Sequence, residues 1–329
     1  MFKGQTVLVT GGTGSWGQEL TRRLLAAGAE EIRIFSRNEG AQVSMQRSLD
    51  YHPKLTFIIG DVRDKAAVRA VCRNVDYVFH LAALKHVPVC EFQPDEALKT
   101  NVMGTENIIE ASIEAGVKKV IDVSTDKAVD PVNFYGMTKA FGEKLMIRAN
   151  RFEEKTKFVC IRGGNVLGTT GSVVPFFRNK ILQNEEIPLT SQDMTRFFLT
   201  VGDAIGLLLQ AAQAAIGGET FVMKMNACRI EDLAQVMITK LANHPLAVRE
   251  VGIRPGEKLH EVLVSSYEAP HTYVYNDKYF VILPTHPTEE LLQRYGHLTK
   301  ASFTHYASNM NLMTPQEIEQ MLHQGGFLT

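Results

Sequence analysis

The segment Thr6-Val7-Leu8-Val9-Thr10-Gly11-Gly12-Thr13-Gly14-Ser15-Trp16-Gly17 joins a β-branched run to a G-x-x-G-x-x-G turn that opens an amphipathic stretch. Glycines at these spacings let the chain turn tightly and bring its backbone against a pyrophosphate, which then sits at the positive N-terminus of the following helix. A bare glycine motif is weak, because Gly-rich turns are common. Here a strand precedes the motif, a helix follows it and a second strand ends where a dinucleotide ribose would lie, so we read it as a cofactor site.

The rest of the first half agrees. Short apolar runs at 6–10, 31–35, 55–59, 76–79, 119–123 and 157–161 alternate with helical patterns at 16–27, 65–72, 94–115 and 134–151. This order predicts an α/β fold with a doubly wound parallel sheet. After Arg162 the alternation weakens. Gly163, Gly164, Gly168 and Gly171 crowd one loop, a helix follows at 174–184 and a strand at 187–190, and further helices fall at 203–216 and 230–241 before a turn-rich 252–256. The expected division is a dinucleotide-binding domain over 1–165 and a smaller, mainly substrate-binding domain over 166–329, with some elements returning to the first. A length of 329 residues suits that division.

Composition excludes several function classes. The 35 Lys and Arg nearly cancel 36 Asp and Glu, for a net charge of -1, so no field favours nucleic acid or an anionic membrane. Cys72, Cys90, Cys160 and Cys228 form no C-x-x-C pair, which fits reduced thiols in a cytoplasmic protein better than a disulfide framework or a zinc site. No signal-peptide pattern precedes the first strand, and the apolar stretch 204–217 is broken by Gln210 and Gln213 and too short to cross a bilayer.

Two positions bear on the cofactor. The second strand ends in Ser36-Arg37-Asn38-Glu39, where an NAD site normally puts a carboxylate on the ribose hydroxyls; Arg37 suits a 2′-phosphate instead and points to NADP. The competing reading leaves Arg37 solvated and gives the ribose to Glu39. Asp61, after the third strand, either faces the adenine amino group or caps the next helix.

Tyr135-Gly136-Met137-Thr138-Lys139 puts a phenol and an ammonium on one helix face, where the cation favours the phenolate and so a base. Such spacings also arise by chance on solvated helices. The fifth strand ends in Ser124-Thr125-Asp126-Lys127, whose side chains face the nicotinamide crevice if the sheet is parallel. An Asp-Lys pair there exceeds what a simple alcohol oxidation needs; the bland reading is a loop salt bridge.

These segments resemble the extended short-chain dehydrogenase/reductases, and within them the UDP-N-acetylglucosamine 4,6-dehydratases without a transmembrane region. Leu81-Ala82-Ala83-Leu84-Lys85-His86-Val87-Pro88, Gly164-Asn165-Val166-Leu167-Gly168, Gly171-Ser172-Val173-Val174-Pro175, Met194-Thr195-Arg196-Phe197 and the run from Ile253 to Glu261 continue the match. The resemblance implies a Rossmann fold, a recycled NADP, a homo-oligomer and no metal, and it leaves His80 and His86 as core or pocket histidines. It implies cofactor contacts from Gly11, Thr13, Gly14, Ser15, Trp16 and Gly17, then from Arg37, Asp61, Val62, Ala82, Ala83 and Lys85, with Tyr135 and Lys139. It implies sugar-nucleotide contacts from Lys85, His86, Asn101, Asn165 and Val166, then from Ser172, Val173, Arg196, Arg254 and Glu257. Arg254 could equally be a loop cation paired with Glu257.

The implied chemistry has Tyr135 take the proton of the 4-hydroxyl as C4 is oxidised, with Thr125 near O4 and Lys139 keeping the phenol acidic. Neutral Lys127 then removes the C5 hydrogen, and Asp126 protonates the departing 6-hydroxyl. Hydride returns to C6, and inversion at C5 gives UDP-2-acetamido-2,6-dideoxy-β-L-arabino-hexos-4-ulose. Two departures fall in the expected sugar loop: Gly163 where the family has an aromatic, and Thr170 where it has Arg. Alternatives are a C5-retaining dehydratase, a 5,6-dehydratase, a 4-epimerase or 4-keto reductase, and a non-catalytic NADP sensor.

Overall fold

The computed structural model describes residues 1–153, 155–169 and 171–328; Thr170 lies outside them. The first half runs β1 (Thr6–Thr10), α1 (Ser15–Ala26), β2 (Glu31–Ser36), α2 (Glu39–Ser48), β3 (Leu55–Ile59), α3 (Lys65–Cys72) and β4 (Tyr77–His80). It continues through α4 (Val87–Phe92), α5 (Pro94–Leu98), α6 (Gly104–Ala115), β5 (Lys119–Thr125), α7 (Phe134–Phe152) and β6 (Lys157–Gly163). The expected strands are all present. The stretch read as one helix over 94–115 contains a π turn at Lys99–Met103 between α5 and α6, and α2, whose sequence is largely polar, is an addition.

The second half contributes β7 (Asn165–Val166), α8 (Val173–Leu182), β8 (Ile187–Leu189), β9 (Thr195–Leu199), α9 (Val201–Ala214), β10 (Thr220–Met223), β11 (Asn226–Arg229) and α10 (Ile230–Leu241). After these come β12 (Val248–Glu250), β13 (Val262–Val264), β14 (Thr272–Val274), β15 (Tyr279–Ile282), α11 (Glu289–Tyr295), β16 (Tyr306–Ala307) and α12 (Pro315–Gln324). A nine-stranded sheet has the order β14-β15-β10-β6-β5-β4-β1-β2-β3. Strands from β3 across to β10 are parallel, and β15 and β14 add antiparallel.

Strand alternation builds the two faces. Val7, Val9, Ile121, Val159 and Phe221 pack with Leu20 and Leu24 of α1 and Ile205 and Leu208 of α9. Leu8, Val78, Val120 and Phe158 pack on the other face with Val68 of α3, Ile108 of α6 and Met146 of α7. Burial of both faces is why these strands read as nearly continuous apolar runs. A separate core joins Phe177 and Ile181 of α8, Leu233 and Met237 of α10, and Ile318 and Leu322 of α12. Among the described residues no helix is long and apolar enough to cross a membrane.

Candidate active site

Chain order reverses between β1 and β4, and in such sheets ligands bind beyond the carboxyl ends of the strands at that reversal. A cavity of about 1060 Å³ lies there, between the sheet and the α8–α10–α12 core. Single-ligand sites usually occupy roughly 300–1,000 Å³, so this one stands at the top of that range.

Its first half is a backbone cradle. Gly11 has φ +65°, and a Cβ there would lie 2.9 Å from Ala82 Cα; a Cβ on Gly17 would lie 2.3 Å from Gly12 O. These approaches clear space at the start of α1, whose N-cap Gly14 offers no side chain and whose first turn carries no acid. An anionic pyrophosphate fits that terminus. Gly11, Thr13, Gly14, Ser15, Trp16 and Gly17 all line the cavity, as do Val62, Ala82, Ala83 and Lys85. Arg37 lines it too, half-exposed and 3.9 Å from Asp61; Glu39 is exposed in the first turn of α2 and is absent from the lining among the described residues. Asp61 is not the helix cap, since Asp64 caps α3. Its carboxyl is held below the usual range: burial pushes it up, but hydrogen bonds from Arg63 outweigh that. Partial burial pulls the Lys85 ammonium down.

The strand end and α7 bring the reactive groups together. A Cβ on Gly136 would lie 2.1 Å from Lys127 O, so the glycine after Tyr135 is what lets α7 rest on the turn Asp126–Ala128. Tyr135 and Lys139, one helical turn apart, line the cavity with Thr125 and Lys127. Lys139 Nζ donates to Asp122 Oδ1 at 3.1 Å, both nearly inaccessible. Burial pushes the Tyr135 phenol up more than Lys139 and Lys127 pull it down. This corrects the expected phenolate: in this state the phenol is neutral.

Lys127 Nζ lies 3.0 Å from Asp126 Oδ1 and 3.2 Å from Glu261 Oε1, with Asn165 Oδ1 at 3.4 Å. Burial lowers its proton affinity, but the two carboxylates overcome that and hold it as an ammonium. The resting amine is therefore charged, a second correction. Burial raises the Asp126 carboxyl despite Lys127. Asp126 is fully buried behind the lining, with Oδ1 accepting from Thr125 Oγ1 at 2.9 Å and from Lys127, while Oδ2 has no partner. Asp126 therefore meets the cavity only through Thr125 and Lys127. The run ending in Glu261 marked this segment in the sequence, yet no role attached to Glu261 itself; only the fold brings it beside Lys127.

Across the cavity stand His86, Asn165, Val166, Ser172, Val173, Arg196, Arg254 and Glu257. Ser172 caps α8 with its Oγ buried and unpartnered, and Glu257 Oε2 is likewise open. Buried polar atoms left unpaired are costly, so these suit a ligand. Arg254, largely exposed, pairs with Glu257 at 3.7 Å, and both line the mouth. Phe176, Pro188, Met194, Phe198 and Ile230 add an apolar wall unread in the sequence.

Two of the expected sugar-nucleotide residues are engaged with the protein itself. Asn101, in the π turn, spends its amide on Leu84 N and O and on Thr138 Oγ1, and is not among the lining residues, so it fixes the 81–86 loop instead of touching sugar. Arg196 gives its Nη donors to the carbonyls of Thr195, Leu259 and Lys258, and its Nε lies 3.6 Å from Glu261. It holds the wall together and has little left for a phosphate. Gly163 ends β6 opposite Thr125, with its missing Cβ facing Met223 Sδ at 3.3 Å and not the cavity. His80 is buried between Thr10 and Thr105 hydroxyls, and burial drops its pKa to about 3, so it is a neutral core residue.

The sequence model of the family described as "Polysaccharide biosynthesis protein" matches residues 7–283. The chain belongs to that family. It is 43% identical over 289 residues to the UDP-N-acetylglucosamine 4,6-dehydratase (inverting) of Campylobacter jejuni, covering 87% of this chain and 84% of that one. It is 46% identical over 274 residues to the UDP-glucose 4-epimerase of Rickettsia rickettsii, covering 82% and 80%. The crystal structure of Pen from Bacillus thuringiensis superposes with a TM-score of 0.92 at 36% identity, covering 100% of both chains.

Proposed function

We propose that this family member is a C5-inverting UDP-N-acetylglucosamine 4,6-dehydratase that uses NADP. The observation that carries the reading is the Asp126–Lys127 pair buried beside Tyr135. A 4-epimerase oxidises and re-reduces C4 and needs no second acid and base; a dehydratase does. The name and similarity of the Campylobacter relative support the same choice.

A bound nicotinamide would supply a positive charge that favours the Tyr135 phenolate and a reversible hydride acceptor for the chemistry at C4 and C6. The residues that would hold the cofactor are the Gly11–Gly17 cradle and Arg37. Tyr135 receives the proton of the 4-hydroxyl. A proton passing along the Lys127 Nζ–Asp126 Oδ1 hydrogen bond converts the ion pair to an amine and a carboxylic acid with no change in net charge. Lys127 then takes the C5 proton, the C5–H electrons form the C5–C6 double bond, and the C6–O6 bond breaks. The departing oxygen takes a proton delivered from Asp126 through the Thr125 hydroxyl and leaves as water. The ion pair is thereby restored; as hydride returns to C6, C5 takes a solvent-exchangeable proton on the face opposite to the one it lost, and the proton held by Tyr135 returns to solvent, which closes the balance. Ser172, the first turn of α8 and Arg254 face the UDP pyrophosphate in this reading, and Lys85 and His86 lie between the two ligands.

We read residues 1–165 as the cofactor-binding unit and 166–329 as mainly sugar-nucleotide-binding, with β10, β14 and β15 completing the large sheet. A homo-oligomer is supported by Ile113, Met137, Phe141 and Phe152, which α6 and α7 leave exposed.

Proton NMR of the enzyme with UDP-N-acetylglucosamine in D2O, without added cofactor, tests the function. A 6-deoxy-4-keto product with deuterium at C5 and L-arabino couplings is expected. D-xylo couplings would mean retention, and a galacto-configured product would mean 4-epimerisation. For the cofactor, Arg37→Ala is expected to weaken NADP binding roughly 10- to 100-fold and leave NAD binding little changed, the range of one charged hydrogen-bonded contact. Calorimetric titration with both dinucleotides reads this directly. NADP binding unchanged in Arg37→Ala would leave Arg37 solvated and give the ribose to Glu39; equal losses would place Arg37 on a part of the cofactor that NAD and NADP share.

A further inference from the structure

The loop joining β7 to α8 carries Thr169, Gly171 and Ser172 into the cavity, and the end of the chain packs against its back. Gly168 has φ +72°, and a Cβ there would lie 2.1 Å from Phe327 Cζ, so the ring occupies the volume that a side chain at 168 would need. On the cavity side, a Cβ at Gly171 would lie 2.9 Å from His86 Cε1. Gly168 is therefore seated against Phe327 on one side, and Gly171 against the imidazole of the 81–86 segment on the other.

Phe327 is firmly placed. Helix α12 starts with a reciprocal capping box between Thr314 and Glu317 and buries Ile318, Met321 and Leu322. Phe327 N donates to Leu322 O at 2.9 Å, closing the turn through Gly325 and Gly326. The ring packs, half-buried, on the same core that holds Val174, Phe177 and Ile181 of α8. Residue 327 also lies beyond the span 7–283 that the family model matches.

We propose that Phe327 is a positioning residue for the sugar-nucleotide half of the site. Its ring seats Gly168, which fixes the loop so that the open Ser172 Oγ and the first turn of α8 face the ligand. This rests on the reading that this half of the cavity holds the nucleotide sugar. Phe327 does not line the cavity that holds the cofactor cradle and the Tyr135–Lys127 cluster, so its loss acts on affinity for one ligand only.

The test compares wild type, Phe327→Ala and Phe327→Leu in calorimetric titrations with UDP and with NADP, alongside KM and kcat. Phe327→Ala is expected to weaken UDP binding and raise KM roughly 5- to 30-fold, the factor corresponding to one or two kcal/mol, with NADP binding and kcat unchanged; Phe327→Leu recovers part. Gly168→Ala is expected to weaken UDP binding too, and by less in the Phe327→Ala background, because the ring it collides with is gone. Unchanged UDP affinity in Phe327→Ala, parallel losses for UDP and NADP, or strict additivity with Gly168→Ala would each overturn the proposal. Wild type measured in the same series separates this from the functional reading. If wild type binds UDP and makes no dehydrated product, the reaction is wrong and the Phe327 comparison still stands.

Discussion

Asp126→Asn is expected to slow formation of the 6-deoxy-4-keto product by about 10²- to 10⁴-fold, the usual worth of a positioned acid, while C4 oxidation survives. Asn matches Asp in shape but has no proton to pass to Thr125 and none to accept from Lys127. Lys127 stays in place, because Glu261 Oε1 at 3.2 Å and Asn165 remain. Losing one carboxylate lowers its proton affinity, so the amine forms more readily and C5 exchange continues. In a single turnover the variant should therefore accumulate reduced nicotinamide and exchange C5 hydrogen for deuterium without losing O6. Wild-type dehydration by the variant would put the acid elsewhere, with Glu261 the nearest other carboxylate. Loss of nicotinamide reduction itself would tie Asp126 to C4 chemistry and favour the epimerase.

The sequence made β1 to β6 legible because a parallel strand buried on both faces must be β-branched and apolar along its length. It hid α2 because EGAQVSMQRS carries only a thin apolar stripe, its helix being secured by the Asn38 cap and the buried Gln42 and Met45. Of the later strands only β8 was read, at 187–190; the others escaped because most have two to four residues, as β7, β10 and β16 do, too few for a period. Among site residues, the glycine cradle and the Tyr135–Lys139 pair were readable since their geometry is local. Asp122 and Glu261 were not, because their partners come from other elements. Asn101 and Arg196 were misread for the same reason: a motif gives the donor, and only the fold shows which carbonyls already consume it. The Tyr135 phenol reversed direction because burial, invisible in Y-x-x-x-K, outweighs the neighbouring cation.

Arg162→Met is expected to destabilise the fold by about 3–5 kcal/mol, the cost of breaking a buried ion pair from one side. Arg162 is 2% exposed, with Nε and Nη2 on Glu143 at 2.9 and 2.6 Å, Nη1 and Nη2 on Glu268 at 3.0 and 2.9 Å, and Nη1 on Leu263 O at 2.9 Å. Glu143 also receives Ser124 Oγ from the end of β5 and sits on α7 below Tyr135 and Lys139. One guanidinium thus ties β5, β6, α7 and the segment beyond Glu261, which together hold the reactive groups. Its removal strands two carboxylates in the interior. The pH dependence identifies the cause. In wild type, burial pushes the Glu268 carboxyl up, but Arg162 pulls it below its usual range. Its stabilisation is therefore complete above the unfolded pKa and lost as pH falls through the lowered folded pKa. Without Arg162, burial, the largest influence, is opposed only by the Ser265 hydrogen bonds and the folded pKa rises, so the penalty is largest at neutral pH and shrinks as acid protonates the group. Denaturant unfolding at about pH 7 and about pH 5 should show the gap between variant and wild type narrowing on acidification. A loss that is the same at both values would assign the cost to packing around Met. Adding Glu143→Gln and Glu268→Gln to Arg162→Met should then restore little, whereas under the electrostatic account it restores much of the loss at neutral pH.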